Sequence, residues 1–264
     1  MTSTLMPAST GELTRDEVMT ALDVVLDPEL DEPITDLGFV QSVTFRDDDV
    51  LEVHLRLPTS FCSPSFAYLM VSDAKDVLTA LPGYDAPGRV VVELDDHHDS
   101  ERINAGLAAD AGYRGTFGHE AEDSLDDLRA IFRRKAHTAA MERCLTALLR
   151  ADDELAEADL GTVTLADLPS GDHATDALLR RREALGLPDA ADAPVMVDAT
   201  GRTYATEEVP MALRRARSTR ISIDGNAHFC RGLLATRYPG SDADQAPREP
   251  ETFFPLTTLK EQLR

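Results

Sequence analysis

At 264 residues the chain exceeds one average domain and falls short of three. Its 48 acidic against 26 basic side chains give a formal net charge of −22, which argues against nucleic acid and anionic membrane surfaces as partners. The acid is mostly aspartate (30 Asp, 18 Glu) and the base almost all arginine (23 Arg, 3 Lys), a bias that fits a GC-rich coding sequence or a salt-adapted surface. A hydrophobic content of 42% sustains a packed core, and with no Trp and 5% aromatics that core is built from Leu, Val and Ala. Cys62, Cys144 and Cys230 lack any CxxC pairing, so they form neither a disulfide framework nor a zinc ribbon. Met1–Gly11 lacks the charge and apolar stretch of a signal peptide, and no run approaches the ~18 apolar residues of a membrane span. These features point to the cytoplasm.

Residues 1–13 read as a polar, frayed start. Thr14-Arg-Asp-Glu17 is a capping box, and Val18, Ala21, Leu22, Val25 and Leu26 follow at helical spacing. Asp27-Pro28 stops that helix. Phe39–Phe45 and Val50–Leu57 alternate apolar and polar around the turn residues Arg46-Asp-Asp-Asp49, which predicts a β-hairpin. A loop with Cys62 leads to a second helix, Ser65–Leu81. After Pro82-Gly83, Arg89–Leu94 reads as a third strand. Residues 14–98 are therefore expected to form a small α-β-β-α-β domain, helices on one face of a sheet.

Asp95-Asp-His-His-Asp99 marks a break in composition. Residues 99–240 read as a mainly helical accessory domain. Its expected parts are a long helix Ser124–Ala151, a turn at Asp153–Asp159 and a helix Thr175–Leu185 closed by Gly186 and Pro188. A short β-hairpin across Val195–Tyr204 and helices Glu207–Arg217 and Asn226–Thr236 complete it. Residues 241–264 read as an irregular tail. The fold class is α+β, with a mainly α-helical second half.

Cys62 is the sharpest chemical candidate. In Leu57-Pro-Thr-Ser-Phe-Cys62-Ser-Pro-Ser-Phe66, Ser63 suits an N-cap and Pro64 the first helical position. The thiol would then sit just outside a helix N-terminus, where partial positive charge favours the thiolate that binds metals or attacks electrophiles. A small cysteine plugging a loop is the alternative.

Asp27-Pro-Glu29, Asp36-Leu-Gly38 followed by Phe39-Val40, the hairpin, and Thr59 with Cys62 resemble the PaaD-like family of iron–sulfur cluster assembly factors, which includes the cytosolic iron–sulfur targeting subunit of eukaryotes. The likeness spans about residues 14–95. It departs where Ser63 separates Cys62 from Pro64 and where Pro58 precedes Thr59. The resemblance implies a maturation factor for metalloproteins, not a catalyst with turnover. Cys62 would be the cluster or thiol contact, with Asp27, Glu29, Asp36, Gly38 and Thr59 as motif positions near it. Its cargo would be a transient iron–sulfur cluster or iron, and its partner a client apo-metalloprotein; a homodimer stays open. Extended acidic relatives resemble the assembly factors that accompany bacterial multicomponent di-iron monooxygenases. A client-specific adaptor that binds protein without metal is therefore the second reading. Turn chemistry explains Asp27, Glu29 and Asp36 equally well.

The second half offers further ligands. His137 and Cys144 lie two helical turns apart, and His228-Phe-Cys230 pairs an imidazole with a thiol. With Cys62 they would complete a Cys₃His set if the halves close on each other; isolated core thiols are the alternative. His97-His98 and His119-Glu120-Ala-Glu122 suit a hard metal or a solvated acidic linker. Arg214, Arg215, Arg217 and Arg220 suit an acidic partner or internal pairing. A cysteine-dependent enzyme, the third reading, needs a base, and His54 is nearest in sequence. Walker, GxGxxG, GxSxG and HExxH motifs are absent.

Overall fold

A computed structural model describes residues 13–121 and 125–240. Residues 1–12, Glu122, Ser124 and the expected tail 241–264 lie outside them.

Helix α1 (Arg15–Leu22) opens with the expected capping box: Thr14 Oγ1 accepts from the Glu17 amide at 3.3 Å, and the Glu17 carboxylate accepts from the Thr14 amide at 2.8 Å. Where a helix stop is expected, the chain also forms a small ladder. Strands β1 (Leu26–Asp27) and β2 (Glu32–Pro33) pair antiparallel. The hairpin follows as β3 (Val40–Phe45) and β4 (Leu51–Arg56), with Val43 opposite Val53. Helix α2 (Pro64–Thr79) then crosses over to β5 (Val90–Asp95), which lies parallel to β4 with Val53 opposite Val92. The sheet order is β3-β4-β5.

The period-2 pattern of the strands meets the 3.6 period of the helix here. Leu51, Val53 and Leu55 of β4 and Val90, Val92 and Leu94 of β5 are buried in one apolar core with Ala67, Met70, Val71, Ala74 and Leu78 of α2. Each such Leu or Val contributes ~1.5–3 kcal/mol. The core runs past the composition break. Helix α3 (Ser100–Ala108) and the short helix α4 (Gly112–Phe117) add Ile103, Leu107 and Phe117. Asn104 closes the outer edge of β5: its side-chain carbonyl accepts from the Leu94 amide at 2.9 Å, and its amide donates to the Leu94 carbonyl at 3.2 Å.

The second half is built on α5 (Leu125–Ala151), which packs against α6 (His173–Ala184) and α7 (Val209–Arg237). A second core holds Leu145, Leu160, Leu178, Val195, Met196 and Leu213. The expected turn near Asp153–Asp159 is a 3-10 turn at Glu157–Thr162, and the expected hairpin shrinks to a single bridge, Val197 with Thr203. One expectation is overturned. The two helices Glu207–Arg217 and Asn226–Thr236 are one continuous helix, α7. The weak helix formers between them are held by tertiary contacts: Ile223 is buried, and Asp224 receives Arg143 at 2.6 Å and Arg220 at 2.8 Å. Val209, Leu213 and Ala216 of α7 belong to the second core, whereas Ala227 and Leu234 belong to the first.

The architecture is α+β, with small sheets at the N-terminal side and a mainly helical remainder. No helix among the described residues is long and apolar enough to cross a membrane.

Candidate functional site at the Cys62 loop

The loop Leu57–Ser63 joins β4 to α2 and is fastened from three sides. Within it, Thr59 Oγ1 accepts from the Phe61 amide at 3.2 Å, a short hydroxyl turn, and lies 3.4 Å from Cys62 Sγ. From the segment after β5, His97 Nε2–H donates to the Cys62 carbonyl at 2.9 Å, and the His98 amide donates to the Ser60 carbonyl at 2.8 Å. The Asp99 amide donates to His97 Nδ1 at 3.1 Å, which fixes the neutral Nε2–H tautomer. From the end of α7, Arg237 donates to the Leu57 carbonyl at 3.2 Å, Ser60 Oγ at 2.8 Å and the Asp96 carbonyl at 2.6 Å. The Cys62 backbone is thus held while its thiol stays half-buried. Phe61 beside it is 80% exposed.

Ser63 is the N-cap of α2 with Pro64 behind it, as expected, but its side chain does not cap. Ser63 Oγ instead lies 2.9 Å from Ser65 Oγ.

Asp27 has a local task. Its Oδ1 accepts from the amides of Glu29 and Leu30, both at 2.9 Å, and so shapes the turn between β1 and β2. Burial pushes its carboxyl up to about 6, although those two amides pull the other way. Gly38 is buried with φ 75°, a conformation that favours glycine, in the turn leading to β3. Asp36 is exposed. It lines a cleft of about 900 Å³ whose acidic wall (Asp23, Asp31, Glu32) faces Arg133 and Arg143 of α5 and Arg180 of α6.

Cys230 reaches the same region from α7. Burial pushes its thiol up to about 11, and the charges of Asp27, Cys62 and Glu29 add to the rise. Cys62 and Cys230 both pack against the first core. Of the expected site residues, the fold therefore gathers Cys62, Thr59, Asp27, Glu29 and Cys230.

The others lie apart. Cys144 belongs to the second core and donates its S–H to the Ala174 carbonyl at 3.3 Å, and burial pushes it up to about 11. His137 is fully buried on α5, with neither ring nitrogen hydrogen-bonded among the described residues. Burial, with the Arg182 charge, pushes its pKa down to about 4. His228 is exposed on α7. The Cys₃His set is thus not assembled. His97 is no ligand either, because both its nitrogens are committed. His98 is exposed with its ring 5.7 Å from that of Phe61, and His119 is exposed too. Arg217 and Arg220 pair internally with buried Glu142.

Among the described residues, three or more potential ligand atoms gather within 4.8 Å of one another only at His54, Glu93 and Asp95. Both His54 nitrogens already meet carboxylates, Asp95 at 3.0 Å and Glu52 at 3.1 Å. Burial lowers its pKa, but these partners outweigh that and raise it. The two carboxylates favour its charged form, and it makes no bond to Cys62. His97 and Arg237, which hold the loop, carry no motif that points to that role. The only signal is a histidine two residues past a strand end.

No curated protein and no solved structure matches the chain. Residues 15–87, which run from α1 through Cys62 and α2, match the model of a family described as iron-sulfur cluster assembly protein, and the match supports an iron–sulfur-assembly-type domain there.

Proposed function

We propose that the chain is a metallocofactor maturation factor of the PaaD-like kind. It would hold or hand over an iron–sulfur unit, or iron, to a client apoprotein, without turnover of its own and in the cytoplasm. The observation that carries this reading is a half-buried thiol on a fastened loop inside the matched segment. The cargo is the substrate. Cys62 supplies the sulfur that bonds iron transiently, and the Thr59 hydroxyl at 3.4 Å is placed to donate to that sulfur as a thiolate. His97 and Arg237 keep the loop from collapsing onto the core. Anaerobic reconstitution with iron and sulfide should give a visible chromophore and transfer to an apo-acceptor, both lost in Cys62→Ser. Transfer that survives this substitution sinks the reading.

A second reading, a client adaptor for a di-iron monooxygenase that binds protein without metal, draws on exposed Phe61 beside the thiol. Client capture unchanged by Cys62→Ser but weakened by Phe61→Ala would favour it.

A further inference from the structure

We infer that Cys230 of α7 is a second sulfur donor beside Cys62, so that thiophilic metal is held at a two-thiolate site made by two distant parts of the chain. The inference takes its cargo, iron in thiolate coordination, from the proposed function. It adds a ligand outside the matched residues.

The placement follows from helix geometry. Asn226, Cys230, Leu234 and Arg237 lie at i, i+4, i+8 and i+11, one face of α7. The ends of that face are tied to the first unit. Asn226 Nδ2 donates to Glu29 Oε1 at 3.2 Å, and Arg237 donates to the Leu57 carbonyl and Ser60 Oγ of the Cys62 loop. With a rise of ~1.5 Å per residue, Cys230 sits ~6 Å along the axis from the Glu29 contact and ~10 Å from the Cys62-loop contact. Leu234, one turn on, is buried in the first core, and both thiols pack against that core. Cys230 thus lies between the Asp27-Pro-Glu29 turn and the Cys62 loop.

The electrostatics ask for a cation. The carboxylates of Asp27 and Glu29 act on Cys230 from the neighbouring turn. Nearby cations are engaged elsewhere: Arg231 pairs with Glu32, and Arg237 serves the loop. A divalent ion would be attracted by these carboxylates. On binding, each thiol forms one sulfur–metal bond and releases its proton to solvent, two protons per ion. Two protein sulfurs leave coordination positions open, as a site that receives and releases its metal requires and a closed structural site does not provide. Sulfur donors select iron or zinc over magnesium or calcium.

Cobalt(II) is the probe. Anaerobic titration of the full chain should give one thiolate-to-cobalt charge-transfer band. Cys230→Ser and Cys62→Ser should each cut its intensity to about half and weaken binding at least about tenfold, since losing an outer-shell partner alone has that effect. Cys144→Ser should match the parent. Cys230→Ala, with unchanged circular dichroism, guards against a folding artefact. A Cys230→Ser titration that overlays the parent overturns the inference, as does a parent with no band or a Cys144→Ser that falls equally. The two readings fail separately. Cluster transfer that needs Cys62, combined with cobalt binding indifferent to Cys230, removes the paired site and leaves the proposed function. Paired cobalt binding without cluster transfer does the reverse.

Discussion

Around the β3-β4-β5 sheet, the buried polar side chains Asp27 and His97 are satisfied by backbone close by in sequence or just across a loop, while Arg56 lies over the Tyr238 ring. Asp27 takes the amides of Glu29 and Leu30, and His97 bridges the Asp99 amide and the Cys62 carbonyl. The helical core instead carries ions through its middle. Glu142, with no exposed surface, holds Arg217 at 3.1 Å, Arg220 and the Thr146 hydroxyl at 2.7 Å. Burial would raise its pKa, but these partners prevail and lower it. Arg182, 1% exposed, donates to the carbonyls of Pro188 and Pro194. The difference follows from the elements. A sheet consumes its own backbone groups, whereas the irregular segments between α6 and α7 leave carbonyls that only a long side chain reaches.

Arg182→Ala should break this contrast most strongly. It takes the guanidinium from the Pro188 and Pro194 carbonyls and leaves a large void, a loss of ~3–5 kcal/mol. Hydrogen exchange should show α6 and residues 187–197 losing protection while the β3-β4-β5 amides keep theirs. A change below ~1 kcal/mol would mean that water serves those carbonyls instead.

His137 sharpens it through pH. Its folded pKa of about 4 lies below the ordinary imidazole value of 6.5, so between these values the unfolded chain takes up a proton that the folded chain refuses. Stability is therefore lost as pH falls from 6.5 to 4, by ~3 kcal/mol in full. His137→Leu should flatten denaturant midpoints across that window and leave those above pH 7.5 nearly parallel to the parent. An equal slope in both proteins would place the acid sensitivity elsewhere.

The same contrast explains what could be read from the residues. The first unit was legible because its signals are local: Thr14 to Glu17 for a cap, alternation in Leu51–Leu57 for a strand, Ser63-Pro64 for a helix start. The helical half was legible as helices but not in its joints. Ser218–Gly225 looks like a break, and only Glu142, Arg143 and a buried Ile223 make it helix. No spacing rule links Glu142 to Arg220 or Arg237 to Ser60, because such contacts depend on how separate elements dock. Cys62 is legible from its loop, whereas His97 and Arg237, which hold that loop, belong to tertiary structure.

Asp27 is where the first unit departs from its own habit, for it is a buried carboxyl held by backbone amides, with no cation paired to it among the described residues. Burial raises its pKa to about 6, and the Glu29 charge adds a little, against the amides of Leu30 and Glu29. A raised folded pKa means that the folded chain keeps this proton longer than the unfolded one. The stabilisation is complete below 3.8 and disappears as pH rises through 6. Asp27→Asn keeps an Oδ1 acceptor for both amides without the charge, so it should raise stability by ~1–3 kcal/mol above pH 7 and by nothing near pH 3. It should also lower the Cys230 thiol pKa, since Asp27 is the first among the charges that raise it. Iodoacetamide alkylation of Cys230 at pH 8 should then quicken. Equal stability gains at pH 3 and pH 8 would assign the effect to packing. A site that keeps an aspartate where asparagine fits better is retaining negative charge near the Cys230 thiol, where an incoming cation would use it.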